Sequence, residues 1–251
     1  MATRFVAIVQ ARMGSSRLPG KVMMKLGGVA VLEHVVGRVL DSGAFDVVVV
    51  ATTTSPADDL IAEQAALYGA HVFRGSEVDV LGRYAAAAAD ANADVIARVT
   101  ADCPLIDPGC LASMVELFRR EAQADVPAAM VTNARLRTFP RGLDAEVFSR
   151  AALVAAQEEA IRDYEREHVT PFIYEHPERF RVVDFVAETD RSGLRLTLDT
   201  PEDLSLLQRI FDSAPPGTAR DLGIGRVLQL LDANPDWLAI NAGIRQKTLE
   251  E

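Results

Sequence analysis

The chain has 251 residues, 49% of them hydrophobic and 25% charged, with a formal charge of −10. The length makes one large domain over residues 1–251, and the composition is that of a globular enzyme rather than a disordered chain. An acidic balance of this size excludes sequence-independent nucleic-acid binding and docking on an anionic membrane, since both need a net basic face.

In chain order, residues 5–9 form a β-branched, both-face-apolar run that predicts a buried strand. Val31, Leu32, Val35, Val36, Val39 and Leu40 then recur at helical spacing. Residues 46–51 predict a second buried strand, and Ser55-Pro56-Ala57-Asp58 is a helix start with a cap residue, a first-turn proline and an acid. A short strand at 72–73, an Ala-rich helix at 84–91 and a strand at 94–99 follow. Strands apolar on both faces, alternating with helices, predict an α/β fold: a doubly wound, mostly parallel, Rossmann-like sheet covered by helices. Residues 133–190 are less regular and read as an inserted lobe. Residues 194–198 predict a further strand, and Thr200-Pro201-Glu202-Asp203 repeats the helix-start signal.

The longest uncharged stretch, residues 47–57, is too short to cross a bilayer. No secretory leader is evident in the opening residues, so a cytoplasmic protein is expected. Cys103 and Cys110 make neither a disulfide framework nor a zinc site. His34, among valines on a helix face, reads as core packing.

Charge is unevenly spread. Residues 1–40 carry +5 and the remaining 211 carry −15. The basic residues centre on Gln10-Ala11-Arg12-Met13-Gly14-Ser15-Ser16-Arg17-Leu18-Pro19-Gly20-Lys21, directly after the first strand. That is the edge where doubly wound sheets bind ligands. Small residues let backbone amides face an anion, and two arginines and a lysine add positive charge, so phosphate is the expected guest, with a solvated basic loop as the alternative. The loop is not a Walker A motif, because five residues separate Gly14 from Gly20 and Val22 follows Lys21. Nor does it contain the glycine pattern of dinucleotide folds.

Without a loop hydroxyl for magnesium, carboxylates must hold it. Asp102 and Asp199 each follow a predicted strand and share the loop's edge, although 97 positions separate them. Mg2+ takes one or two carboxylates plus phosphate oxygens. Each acid alone could equally serve a helix N-terminus.

The opening motif closely resembles that of the cytidylyltransferase family, which includes the CMP-sialic acid and CMP-Kdo synthetases, and above all its spore coat polysaccharide branch. Further stretches carry the resemblance: residues 73–83, Arg98-Val99-Thr100-Ala101-Asp102-Cys103-Pro104, residues 138–144, Arg166-Glu167-His168-Val169-Thr170-Pro171 and residues 196–203. It implies transfer of CMP from CTP to a sugar hydroxyl, commonly of a 3-deoxy keto sugar acid, with release of pyrophosphate. It further implies that Arg12 and Lys21 hold the triphosphate, Ser16 and Arg17 complete the loop, Asp102 and Asp199 hold Mg2+, and the enzyme is a homodimer through the inserted lobe. Sialic acid synthetases carry Asn where this chain has Val22, which speaks against that sugar.

The expected catalytic residues are therefore Arg12, Lys21 and Asp102. The expected nucleotide site adds Gln10, Ala11, Gly14, Ser15, Ser16, Arg17 and Thr100. Arg74 and Arg83 could reach the nucleotide or pair with Glu77 or Asp79. Arg141, Asp144, Glu146 and His168 lie where a sugar or sugar acid would sit; Arg141 suits a carboxylate, and His168 falls at a predicted helix start. A glycosyltransferase using a nucleotide sugar and a non-catalytic nucleotide-binding module are the rival readings.

Overall fold

The computed structural model describes residues 2–215 and 217–248. It opens with β1 (Phe5–Gln10), a hairpin of β2 (Lys25–Leu26) and β3 (Val29–Ala30), and α1 (Val31–Asp41). The units β4 (Val47–Thr53) with α2 (Asp59–Leu67), β5 (His71–Gly75) with α3 (Val80–Asp90), and β6 (Val95–Thr100) with α4 (Pro108–Glu121) come next. Then follow β7 (Met130–Thr132), β8 (Glu146–Ser149), α5 (Arg150–Glu159), α6 (Asp163–His168), α7 (Pro171–Glu175) and β9 (Val182–Asp184). The chain closes with α8 (Pro201–Asp212) and α9 (Ile224–Ala233).

Seven strands form one sheet in the order β5-β4-β1-β6-β8-β7-β9, and only β8 runs against the others. The expected doubly wound, mostly parallel sheet is present. Its period-2 alternation divides the core. Phe5, Ala7 and Val9 face α1, α2 and α4, while Val6 and Ile8 face α3 and α5. After β5 the chain crosses back to place β6 on the other side of β1, so the strand order reverses there. The carboxyl ends of β1 and β6 flank the crevice this creates, the usual ligand position in such sheets.

Several expectations shift. The 133–190 segment, read as a lobe, contributes β8 and β9 to the main sheet. Residues 194–198 are not a strand; they make a single bridge, Arg141 to Arg195. Their polar backbone groups instead meet loops and side chains. Leu196 N donates to the Arg141 carbonyl, Leu198 N to that of Asp102, and Asn241 Nδ2 to that of Arg195. His168 stands at the end of α6 rather than at a helix start. His34 is buried as expected: Nε2 donates to the Leu26 carbonyl at 2.9 Å, and the ring packs on Phe211.

Candidate active site

A cavity of about 800 Å³ opens at the carboxyl ends of β1 and β6, within the range of small-molecule sites. The loop after β1 forms part of its wall. Met13 N donates to Asp58 Oδ1 at 2.7 Å, and the Thr53 hydroxyl donates to Asp58 Oδ2, so a buried acid at the foot of α2 pins the loop. Gly20 adopts φ +70, a left-handed conformation open to glycine, and donates to the Met13 carbonyl. Among the described residues, the amides of residues 14–17 meet no acceptor within the protein.

Lys21 occupies the centre of this corner. Its Nζ lies 2.7 Å from Asp102 Oδ2 and 2.7 Å from Asp199 Oδ1. Burial pushes the Lys21 ammonium toward the neutral form, but the two carboxylates outweigh it and hold its pKa above the ordinary value. Asp102 shows the mirror effect. Burial raises it, yet Lys21, the Thr100 hydroxyl and the Cys103 thiol hold the carboxyl below its usual range. Thr100 therefore serves the acid directly, with Oγ1 2.6 Å from Asp102 Oδ1.

Asp199 is not the cap of α8. Thr200 and Asp203 form a reciprocal capping box there, which frees the Asp199 carboxylate for the cavity. Its Oδ2 meets Arg195 Nη2 at 2.9 Å and Arg17 Nη2 at 3.3 Å. Arg195 is also held by Asp203 at 2.9 Å and by Gln246 Oε1 at 2.6 Å. Arg195 and Gln246 escaped the sequence reading, as did Lys247 and Thr248, which also line the cavity. No local motif marks the last three, because residues 246–248 return to the site from far along the chain.

The remaining candidates divide. Gln10, Ala11, Gly14, Ser15, Ser16 and Arg83 line the cavity, and Gln10 Oε1 and Arg83 Nε are buried with no hydrogen-bond partner among the described residues. Arg12 also lines it and makes an exposed 3.7 Å pair with Glu77. Burial lowers the Arg83 pKa, and its Nη1 donates to the Ser76 carbonyl. Arg74 does not line the cavity; it donates to the Thr53 and Ser55 carbonyls and pairs with Asp59 at 2.7 Å, not with Glu77 or Asp79.

Arg141, Asp144, Glu146 and His168 all reach the same cavity. Arg141 is half-buried, with its pKa lowered first by burial and then by Arg137. Asp144 accepts from Arg137 and from Gly142 N. Glu146 is buried against Arg98, whose Nη1 donates at 2.8 Å. Burial opposes the Arg98 charge, but Glu146 and Tyr84 outweigh it and raise the pKa. The sequence signal for Arg98 is a charged residue inside the otherwise apolar strand β6.

Two carboxylates converging on one cationic nitrogen also suit a hard divalent cation. Among the described residues no three His, Cys, Asp or Glu side chains gather around a metal position. Asp102 and Asp199 are the carboxylates that meet at Lys21.

The chain is similar to known proteins over most of its length. The cytidylyltransferase family model matches residues 6–225. The spore coat polysaccharide biosynthesis protein SpsF of Bacillus subtilis is 34% identical over 91% of this chain and 94% of its own. A cytidylyltransferase of Leptospira borgpetersenii superposes with a TM-score of 0.89 at 34% identity, covering 98% of this chain and all of that one. A CMP:2-keto-3-deoxy-manno-octonic acid synthetase solved with CTP shares the fold, with a TM-score of 0.65 at 19% identity over 84% of this chain and 99% of that one.

Proposed function

The chain belongs to the cytidylyltransferase family and is a CTP-utilising nucleotidyltransferase; from that premise we propose that it transfers CMP from CTP to a hydroxyl of an acidic keto sugar, releasing pyrophosphate, for surface polysaccharide or glycan biosynthesis. The observation that carries the reading is Lys21 held between Asp102 and Asp199 beside Arg17, on the edge where a triphosphate would lie.

In this mechanism the acceptor hydroxyl attacks the α-phosphorus in line and gives up its proton to solvent. The bond to the bridging oxygen breaks on the opposite side, and charge builds on the departing pyrophosphate. Arg12, Arg17 and Lys21 neutralise that charge, and the unpaired loop amides of residues 14–17 orient the phosphates. Asp102 and Asp199 would hold Mg2+, which supplies charge neutralisation at the phosphate oxygens when bound. Gln10 and Arg83, each with a buried polar atom lacking a partner, face the nucleotide. Arg141 meets the sugar carboxylate, and Asp144 and His168 border the sugar in the 133–190 segment. That segment is also proposed as the contact of a homodimer. Among the described residues no helix is long and apolar enough to cross a membrane, and the reading takes the enzyme as cytoplasmic.

The test is pyrophosphate release by purified protein given CTP, Mg2+ and a panel of octulosonic and nonulosonic acids, with UTP, ATP and GTP in parallel. Release that needs both CTP and one acid supports the reading. Release with neutral sugars alone would sink the acidic acceptor, and transfer from a nucleotide sugar without pyrophosphate would restore the glycosyltransferase.

A further inference from the structure

Between α6 and α7 the backbone does something costly. Val169 adopts φ +73, ψ −53, and Thr170 N donates to the His168 carbonyl at 2.9 Å. Together these make a classic γ-turn, a rare and strained conformation, centred on a β-branched residue for which positive φ is a true outlier. The next residue breaks a second local rule. Thr170 lies in the helical region at φ −100, ψ −10, although Pro171 follows and disfavours that region. Val169 is fully buried in the layer beneath α3 and α5.

One side chain answers for both departures. The Thr170 hydroxyl donates into the Glu146 carboxylate, 2.9 Å from Oε1 and 3.0 Å from Oε2. Arg98 Nη1 donates to the same carboxylate at 2.8 Å. All three residues are shielded, and all three border the cavity beside His168. Strained backbone of this kind persists only where its surroundings over-determine it, and it collects at functional sites.

We infer that Glu146, seated by Arg98, is a positioning residue: by gripping the Thr170 hydroxyl it holds the γ-turn at Val169 and so fixes His168 on the cavity wall. Glu146 then acts on the acceptor through His168 rather than by contact, since its oxygens are engaged by Arg98 and Thr170. The inference rests on the cavity being the acceptor site for its functional meaning, but not for its test.

The test is a carbon–proton NMR spectrum of the imidazoles in the full-length protein, which has four histidines, with His168 assigned through His168→Gln. Thr170→Val keeps the shape and removes the hydroxyl. The His168 cross-peak should move or split into several environments, while those of His34 and His71 stay in place. Thr170→Ser, which keeps a hydroxyl, should restore the original position. Glycine accepts positive φ without strain, so Val169→Gly combined with Thr170→Val should also bring the peak back, and this variant covers the case in which Thr170→Val alone folds poorly. An unchanged His168 peak in Thr170→Val, or a serine variant that behaves like valine, overturns the inference. No nucleotide or sugar is needed, so a failed pyrophosphate assay leaves this result standing.

Discussion

At the loop end of the cavity, Lys21, Arg17 and Arg195 surround Asp199 and Asp102 with ion pairs drawn from separate stretches of chain, and each pair has a side open to the cavity. At the α6 end, Arg98 and Glu146 pair within the cavity wall, and the partners of the Glu146 carboxylate are the protein groups Arg98 and Thr170. On the proposed reading, the first arrangement would let an arriving polyanion and its cation exchange places with protein charges. The second fixes a wall. On that reading charge at one end is a reserve for the ligand, while at the other it is scaffolding.

The largest expected effect separates the two ends by stability. Glu146→Ala strands the Arg98 guanidinium in a buried site, and breaking a buried pair by removing one partner costs about 3–5 kcal/mol. Urea unfolding should show that loss. A loss below about 1 kcal/mol would mean that the Arg98 pair is solvated, and the scaffolding description would fail.

Lys21→Ala should instead spare most of the fold and strike turnover. Losing one oriented donor to a developing charge typically raises the barrier by about 3–4 kcal/mol, 10²–10³-fold in kcat. Lys21 also stands where a cation would bind, so its removal should strengthen Mn2+ binding in the absence of CTP, read by calorimetry. Normal turnover would remove Lys21 from the mechanism. Unchanged metal affinity would show that the two acids do not share one cation position.

Acid sensitivity gives a control outside both ends. Burial lowers the His34 pKa from about 6.5 to about 4. Between those values the unfolded chain binds a proton that the folded chain does not, so stability is complete above the window and falls as pH drops through it, by at most about 3 kcal/mol. The depressed Asp102 carboxyl works at lower pH, contributing stability above the unfolded value near ~3.9 that is lost as pH falls through its folded value. Tm measured from pH 7 to 4.5 should therefore decline in the native protein and decline less in His34→Gln. Equal slopes would place the sensitivity elsewhere.

Much of the loop end is legible in the sequence because its parts follow strands whose pattern is unambiguous. Residues 5–9, 46–51 and 94–99 are apolar on both faces, and sheet topology then sets Lys21 and Asp102 on one edge. The same logic points to Asp199 from residues 194–198, which pattern as a strand but form a single bridge. The position survives because Leu198 N still bonds to the Asp102 carbonyl at 2.8 Å, tying the two acids together without a ladder. The α6 end was less legible. Its organising group, Arg98, reads as one charge within a strand, and the γ-turn at Val169 has no glycine or asparagine to announce positive φ. Gln246 reaches Arg195 across 51 positions, a contact that no local pattern encodes.

A smaller effect tests whether the two ends are mechanically joined through the segment between them. Gly142 has φ +104, and a Cβ there would lie 2.5 Å from the Leu196 carbonyl carbon and 2.6 Å from Thr197 N. Only glycine lets residues 139–143 lie against 194–198, where Arg141 N donates to the Leu194 carbonyl and Leu196 N to that of Arg141. Gly142→Ala must push that second segment away, and Asp199 stands at its end. The strain should cost about 1–3 kcal/mol in urea unfolding, the range of other overpacked sites. Gly14 in the phosphate loop has ordinary room, since a Cβ would meet Glu77 Oε1 at 3.5 Å, so Gly14→Ala should stay within about 0.5 kcal/mol of the native stability. If the two substitutions cost the same, the contact at Gly142 is not what holds Asp199 in register with Asp102, and the Leu198 N bond to the Asp102 carbonyl and the capping box of α8 suffice to place it.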